Sequence, residues 1–122
     1  MRNLLVLCGF LLCIACAAPA PIRVQNSTLV ALLTLDQRSL GKRSGTILLS
    51  NVDGTPMRDA TVTVTAVMQQ HGMILPPFAL NETPAGYQFD TLQIDMAGEW
   101  QLQLRITRNG TETLLELPVV FQ

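Results

Sequence analysis

The chain has 122 residues, eight basic against nine acidic side chains and a net charge of −1. That length suits one domain with a modest core and needs no metal or disulfide staple. Lys42 is the only lysine, so the clustered cations that a nucleic-acid partner requires are missing and that partner class is excluded.

The N-terminus, "MRNLLVLCGFLLCIACAAPAP", reads as a secretory leader: Arg2 supplies the positive start, an apolar run extends from Leu4 to Ile14, and small residues follow. The apolar run is shorter than the roughly 20 residues that a membrane-spanning helix needs. All three cysteines, Cys8, Cys13 and Cys16, fall here, which leaves the folded part without a disulfide or a thiol nucleophile. "LLCIAC" resembles a bacterial lipobox, in which the last cysteine, here Cys16, is lipidated and becomes the new N-terminus. Cys13 stands where such a motif usually has leucine; the alternative is ordinary cleavage around Ala15-Cys16-Ala17 and release. On the lipoprotein reading the chain divides into a signal peptide at 1–15, a flexible tether of Pro, Ala and polar residues at 16–27, and a folded domain at 28–122.

From Thr28 onward the apolar pattern has period two, the signature of half-buried strands. "TLVALLTL" at 28–35 is nearly all apolar and fits a helix by periodicity, but its length and its surroundings favour a strand. "GTILLS" is followed by the turn sequence "NVDGTP" at 51–56 and then by "ATVTVTAV", with Val62, Val64 and Ala66 on one face and Thr61, Thr63 and Thr65 on the other. "MILPPFAL" at 73–80 contains Pro76 and Pro77, which suits an irregular edge segment running back across the domain. "GYQFDTLQI" at 86–94 is a further strand. "EWQLQLRIT" directs Trp100, Leu102, Leu104 and Ile106 inward, and the Asn-Gly pair in "RNGT" at 108–111 predicts a tight hairpin to "ETLLELPVVF". The fold class expected is an all-β, immunoglobulin-like antiparallel β-sandwich of about six to seven strands after an N-terminal leader.

Two stretches, "MQQHGM" and "AGYQFDTLQIDMAGEW" with its continuation "QLQLRI", resemble the YtkA-like domain. That family comprises small β-sandwiches of bacterial envelope lipoproteins, similar to the FixH-type proteins of haem–copper oxidase assembly. The shared pattern is His71-Gly72-Met73, then Gly86-Tyr87, then Met96, Gly98 and Trp100 followed by alternating apolar residues, and it covers about residues 44–121. Family members often carry a further methionine and proline just before the His-Gly-Met triplet; this chain has Met68, then Gln69-Gln70. The resemblance implies a cell-envelope domain that handles copper or supports oxidase assembly.

Thioether sulfur and imidazole are the soft ligands left in an exported domain without cysteine, and they suit Cu(I). His71, the only histidine, stands two residues from Met73, so an extended backbone would put both on one face, with Gly72 free to bend between them. Met96 reaches the same end if 73–80 runs down the sandwich and 86–94 runs up. Met68 continues the inward set of Val62, Val64 and Ala66, which makes it a core residue first and a ligand in reserve. Met57 belongs at the opposite end. A solvated histidine beside two packing methionines is the competing reading of the same residues.

No Ser-His-Asp, Cys-His or phosphate-loop arrangement is recognisable, so the expectation is a non-enzymatic protein. Asp90, Asp95, Glu112 and Glu116 read as solvated faces. The triplets Asn26-Ser27-Thr28, Asn81-Glu82-Thr83 and Asn109-Gly110-Thr111 read as turn chemistry rather than glycosylation acceptors. The partners expected are the membrane surface, through the lipid, and a membrane protein or cuproprotein. The rival is a metal-free scaffolding module that contacts a membrane-protein partner.

Overall fold

The computed structural model describes residues 19–122, so the expected leader at 1–15 and Cys16 lie outside the described residues. The six long strands are those expected from the alternation. They are β2 (Leu29–Leu35), β3 (Gly41–Asn51), β4 (Thr61–Met68), β8 (Gly86–Ile94), β9 (Gly98–Arg108) and β10 (Thr111–Phe121). Four short ones raise the count among the described residues to ten, against the six or seven expected: β1 (Ile22–Gln25), β5 (Met73–Ile74), β6 (Phe78–Ala79) and β7 (Asn81–Thr83). Strands this short leave too few alternations for periodicity to reveal. β1 also corrects the tether, because Ile22–Gln25 pair antiparallel with Leu33–Val30 and extend the sandwich toward the N-terminus.

Two antiparallel sheets result, ordered β1-β2-β3-β8-β7 and β10-β9-β4-β5, with β6 also on β4. Strands β2-β3-β8-β7 follow the A-B-E-D order of an immunoglobulin sheet and β10-β9-β4 follow G-F-C. The inner faces close on one hydrophobic core in which Trp100, Tyr87, Phe121, Leu102 and Leu117 are among the fully buried side chains, and no polar or charged residue is buried with them among the described residues. Phe89 and Phe78 meet inside with ring centroids 5.6 Å apart. The Phe89 ring also covers Gly45, where a Cβ would come within 2.6 Å of it and 2.9 Å of the Thr34 carbonyl oxygen, so only glycine fits.

Local chemistry sets the joints. In β8 the inward set changes parity, from Tyr87 and Phe89 to Leu92 and Ile94, because Asp90 and Thr91 together face Ser44 in a β-bulge. Asn109 and Gly110 both take positive φ (51° and 76°), the geometry of the expected two-residue hairpin. Asn26 is also a turn residue: its Oδ1 accepts from the backbone N–H of Thr28 and Leu29, at 2.8 and 2.7 Å. In the β3–β4 connection the Thr55 hydroxyl and backbone N–H donate to Asp53 and hold its carboxyl below the usual aspartate range.

Tyr87 fastens that same connection to β8. Its hydroxyl donates to the Met57 carbonyl at 3.0 Å and accepts from the Ala60 N–H at 3.1 Å. Burial pushes the phenol above the usual tyrosine value of about 10. A raised acid in the folded state contributes stability that is fully present below pH about 10 and is lost as pH rises through the folded value. Because Tyr87 is the only tyrosine, near-ultraviolet phenolate absorbance should appear late in an alkaline titration and coincide with loss of near-ultraviolet circular dichroism. In Tyr87→Phe that alkaline loss should be smaller, at a cost of about 0.5–1.5 kcal/mol per net hydrogen bond at neutral pH. Phenolate appearing at the free-tyrosine value without loss of structure would contradict this.

Candidate metal centre at one end of the sandwich

The strand directions fix which residues share an end. β4 finishes at Met68, followed by a single 3-10 turn, Gln69–His71, and then Gly72 in the left-handed region at φ 59° and ψ 25°. This reverses the chain, so that Met73 pairs with Met68 and Ile74 with Val67. The Leu75 N–H then donates to the Ala66 carbonyl at 2.9 Å, and Phe78 and Ala79 pair with Val64 and Thr63. Segment 73–80 therefore runs back along the edge of β4, as expected. Its prolines stand in the gap between β5 and β6, where a missing N–H breaks no ladder bond. In the opposite sheet β8 runs in the same direction as β4 and delivers Met96 to the His71 end before β9 returns.

One expectation changes. His71 and Met73 do not lie on one extended strand, because the 3-10 turn and the left-handed Gly72 interrupt the alternation between them. Gly72 supplies the bend anticipated for it, but its positive φ turns Met73 away from the His71 register. As the cross-strand partner of the fully buried Met68, Met73 shares its inward face and packs half-buried on the core, while Ile74 points out at 68% exposure. Met96 is also half-buried against the core, and its carbonyl accepts from Trp100 Nε1 at 3.0 Å. The Met68 methyl reaches the same loop, since a Cβ on Gly98 would lie 2.9 Å from its Cε. His71 is exposed. Met57 lies at the other end, before β4 begins, with its N–H on the Leu49 carbonyl.

This end thus combines two half-buried thioethers, one fully buried thioether and an exposed imidazole. Among the described residues no group of three or more His, Cys, Asp or Glu side chains is placed to hold a metal, so an ion bound at this end would depend on the methionines. Thioether sulfur and imidazole are soft donors; Met73 and Met96 are half-buried against the core and His71 is exposed on the turn between Met68 and Met73. Asp90, Asp95, Glu112 and Glu116 are all exposed; Asp95 accepts from Gln93 Nε2 at 2.8 Å, and Glu112 stands 3.5 Å from Arg105.

The chain's N-terminal side leaves from this end too. Ile22 pairs with Leu33 near the finish of β2, and the Arg38 guanidinium donates to the Ala20 carbonyl at 2.8 Å. The Gln122 N–H donates to the Arg38 carbonyl, also at 2.8 Å, so the last residue shares this end.

A feature that the sequence reading missed lies on the outer face of the other sheet: a groove of about 420 Å³ over β2 and β3, beside the β3–β4 connection. Its signal was present in "TLVALLTL", where an apolar residue at nearly every position means that both faces of the strand are apolar. No protein-family model, curated protein or solved structure matches the chain.

Proposed function

We propose that the chain is a non-enzymatic protein of the bacterial cell envelope, of the YtkA-like type, held at the membrane by a lipid on Cys16. Its methionine-rich end binds Cu(I) through Met73, Met96 and His71, for copper handling or oxidase assembly. The observation that carries this reading is the gathering of the only histidine and of three of the four methionines beyond Met1 at one end of the sandwich. Uncharged sulfur and imidazole ligands favour Cu(I) over harder ions, and a shallow site suits handover to a partner. Met68 is a packing residue beside the site.

The anchor adds a direction. From Cys16 to Ala20 the chain spans at most about 14 Å even when extended at roughly 3.3–3.6 Å per residue. A lipid on Cys16 therefore holds the copper-binding end against the bilayer, where a membrane-embedded cuproprotein partner presents its own site. Cys16→Ala should lose incorporation of labelled lipid and move to the soluble fraction. An unmutated protein that is already soluble and begins at Ala17 or Ala18 would remove the anchor from this account.

The copper reading is tested by labelling the methionine methyls with carbon-13 and adding Cu(I) anaerobically, or Ag(I) as its redox-inert substitute. The methyl signals of Met73 and Met96 should shift and saturate together, while Met57 at the far end stays unmoved. The alternative is a metal-free module docking on a membrane protein. It draws on the apolar side chains exposed around this end, Leu40, Ile74 and Val120, and predicts no methyl shift with either ion.

A further inference from the structure

The two sheets differ on their outer faces. That of β4 and β9 carries Thr63, Thr65, Gln101 and Gln103, as a solvated antiparallel face should. That of β2 and β3 is apolar where it meets β1: Arg23 pairs with Leu32, and Leu32 pairs with Leu48, so that a cation and two leucines stand in one row across three strands. Leu48 is 47% exposed and Val52 is 54% exposed. The row continues to Gly86 on β8, where a Cβ would come within 2.9 Å of both Leu48 Cδ2 and the Ile47 carbonyl oxygen. Glycine here keeps the groove floor low. The β3–β4 connection rises beside the row as a wall, tied down by the bridge between Pro56 and Ser50 and by the hydrogen bond from Met57 N–H to the Leu49 carbonyl.

The charge of this groove is one-sided, with Arg23 and Arg58 in its lining and no carboxylate. Arg58 is occupied, donating to the carbonyl oxygens of Thr83 and Pro84 at 3.0 and 3.1 Å. Arg23 is exposed and makes no side-chain hydrogen bond or ion pair among the described residues. The volume of about 420 Å³ falls within the roughly 300–1,000 Å³ of small-molecule sites. A second copy of the chain is a poor occupant, because a two-fold contact through this face would bring together two positively charged grooves with no carboxylate in either lining.

We propose that this groove binds a single-chain anionic amphiphile of the fatty-acid class, with the aliphatic chain along Leu32 and Leu48 and the acid group paired with Arg23. The site lies on a different face from the methionine-rich end, and nothing in it rests on the copper reading. The full chain is titrated with dodecanoate below its micelle concentration, followed by calorimetry and by amide NMR. Binding should saturate at one per chain and shift the amides of Val30, Leu32, Leu48 and Val52. Arg23→Gln should weaken dodecanoate about tenfold, the scale of one charge-assisted pair, and leave dodecanol unchanged. Leu48→Glu and Val52→Asp alter exposed positions, should fold as the parent does by circular dichroism, and should lose both ligands. The proposal is overturned if the parent shows no saturable binding, if both apolar-site variants bind as the parent does, or if Arg23→Gln weakens dodecanoate and dodecanol alike. Ligand-free self-association that Leu48→Glu abolishes would overturn it in favour of a second copy.

Discussion

Trp100→Ala is expected to lose about 3–5 kcal/mol of stability, the cost typical of removing a buried tryptophan. The indole is 1% exposed, extends from β9 into the core, and donates from Nε1 to the Met96 carbonyl at 3.0 Å. Its loss would leave a cavity between the sheets at the Met96 end and would release the loop that carries Met96. Against a total of roughly 5–15 kcal/mol for a domain, the variant should melt well over about 10 °C lower, given about 4–8 °C per kcal/mol at this size. Trp100→Phe, which keeps a ring but not the donor, should fall between the two. A melting temperature for Trp100→Ala within a few degrees of the parent would mean that Trp100 is not a core residue.

Much of the fold could be read in the sequence wherever one face of a strand meets water and the other meets the core. Strands β4 and β9 are the clearest instances, because threonine and glutamine fill their outer positions. The Asn109-Gly110 turn was legible for a different reason: few residue pairs accept two successive positive φ angles. β2 was ambiguous because its outer face lines a groove and is apolar as well. β1 escaped notice because only Ile22 and Val24 alternate there, amid a segment of tether-like composition. The parity change in β8 stands in the sequence as Asp90-Thr91, two polar residues in succession, but it identifies a bulge only once the pairing partner in β3 is known.

The candidate site was partly legible. Its topology followed from one premise, that 73–80 runs back along β4 while 86–94 runs with it, and the strand directions bear this out. The local relation of His71 to Met73 was not legible. A glycine between two ligands announces freedom to bend, but not that the backbone will take the left-handed region and turn one side chain to the core and the other to solvent. The inward turn of Met73 follows from its pairing with Met68, which is a tertiary fact rather than a property of the triplet.

The most direct test of the central claim is an anaerobic Cu(I) titration against a competing chelator, applied to the parent and to His71→Ala, Met73→Leu and Met96→Leu. Leucine keeps the volume and apolar character of methionine while removing the sulfur, so the half-buried packing of Met73 and Met96 should survive and only ligation should change. Even groups that merely orient a ligand are typically worth 10–100-fold in metal affinity. Each of these three substitutions should therefore weaken Cu(I) by about tenfold or more, with one ion per parent chain and with Met57→Leu unchanged as the control from the far end. Equal, weak binding by all of these proteins would contradict the account and would assign this end of the sandwich to a protein contact.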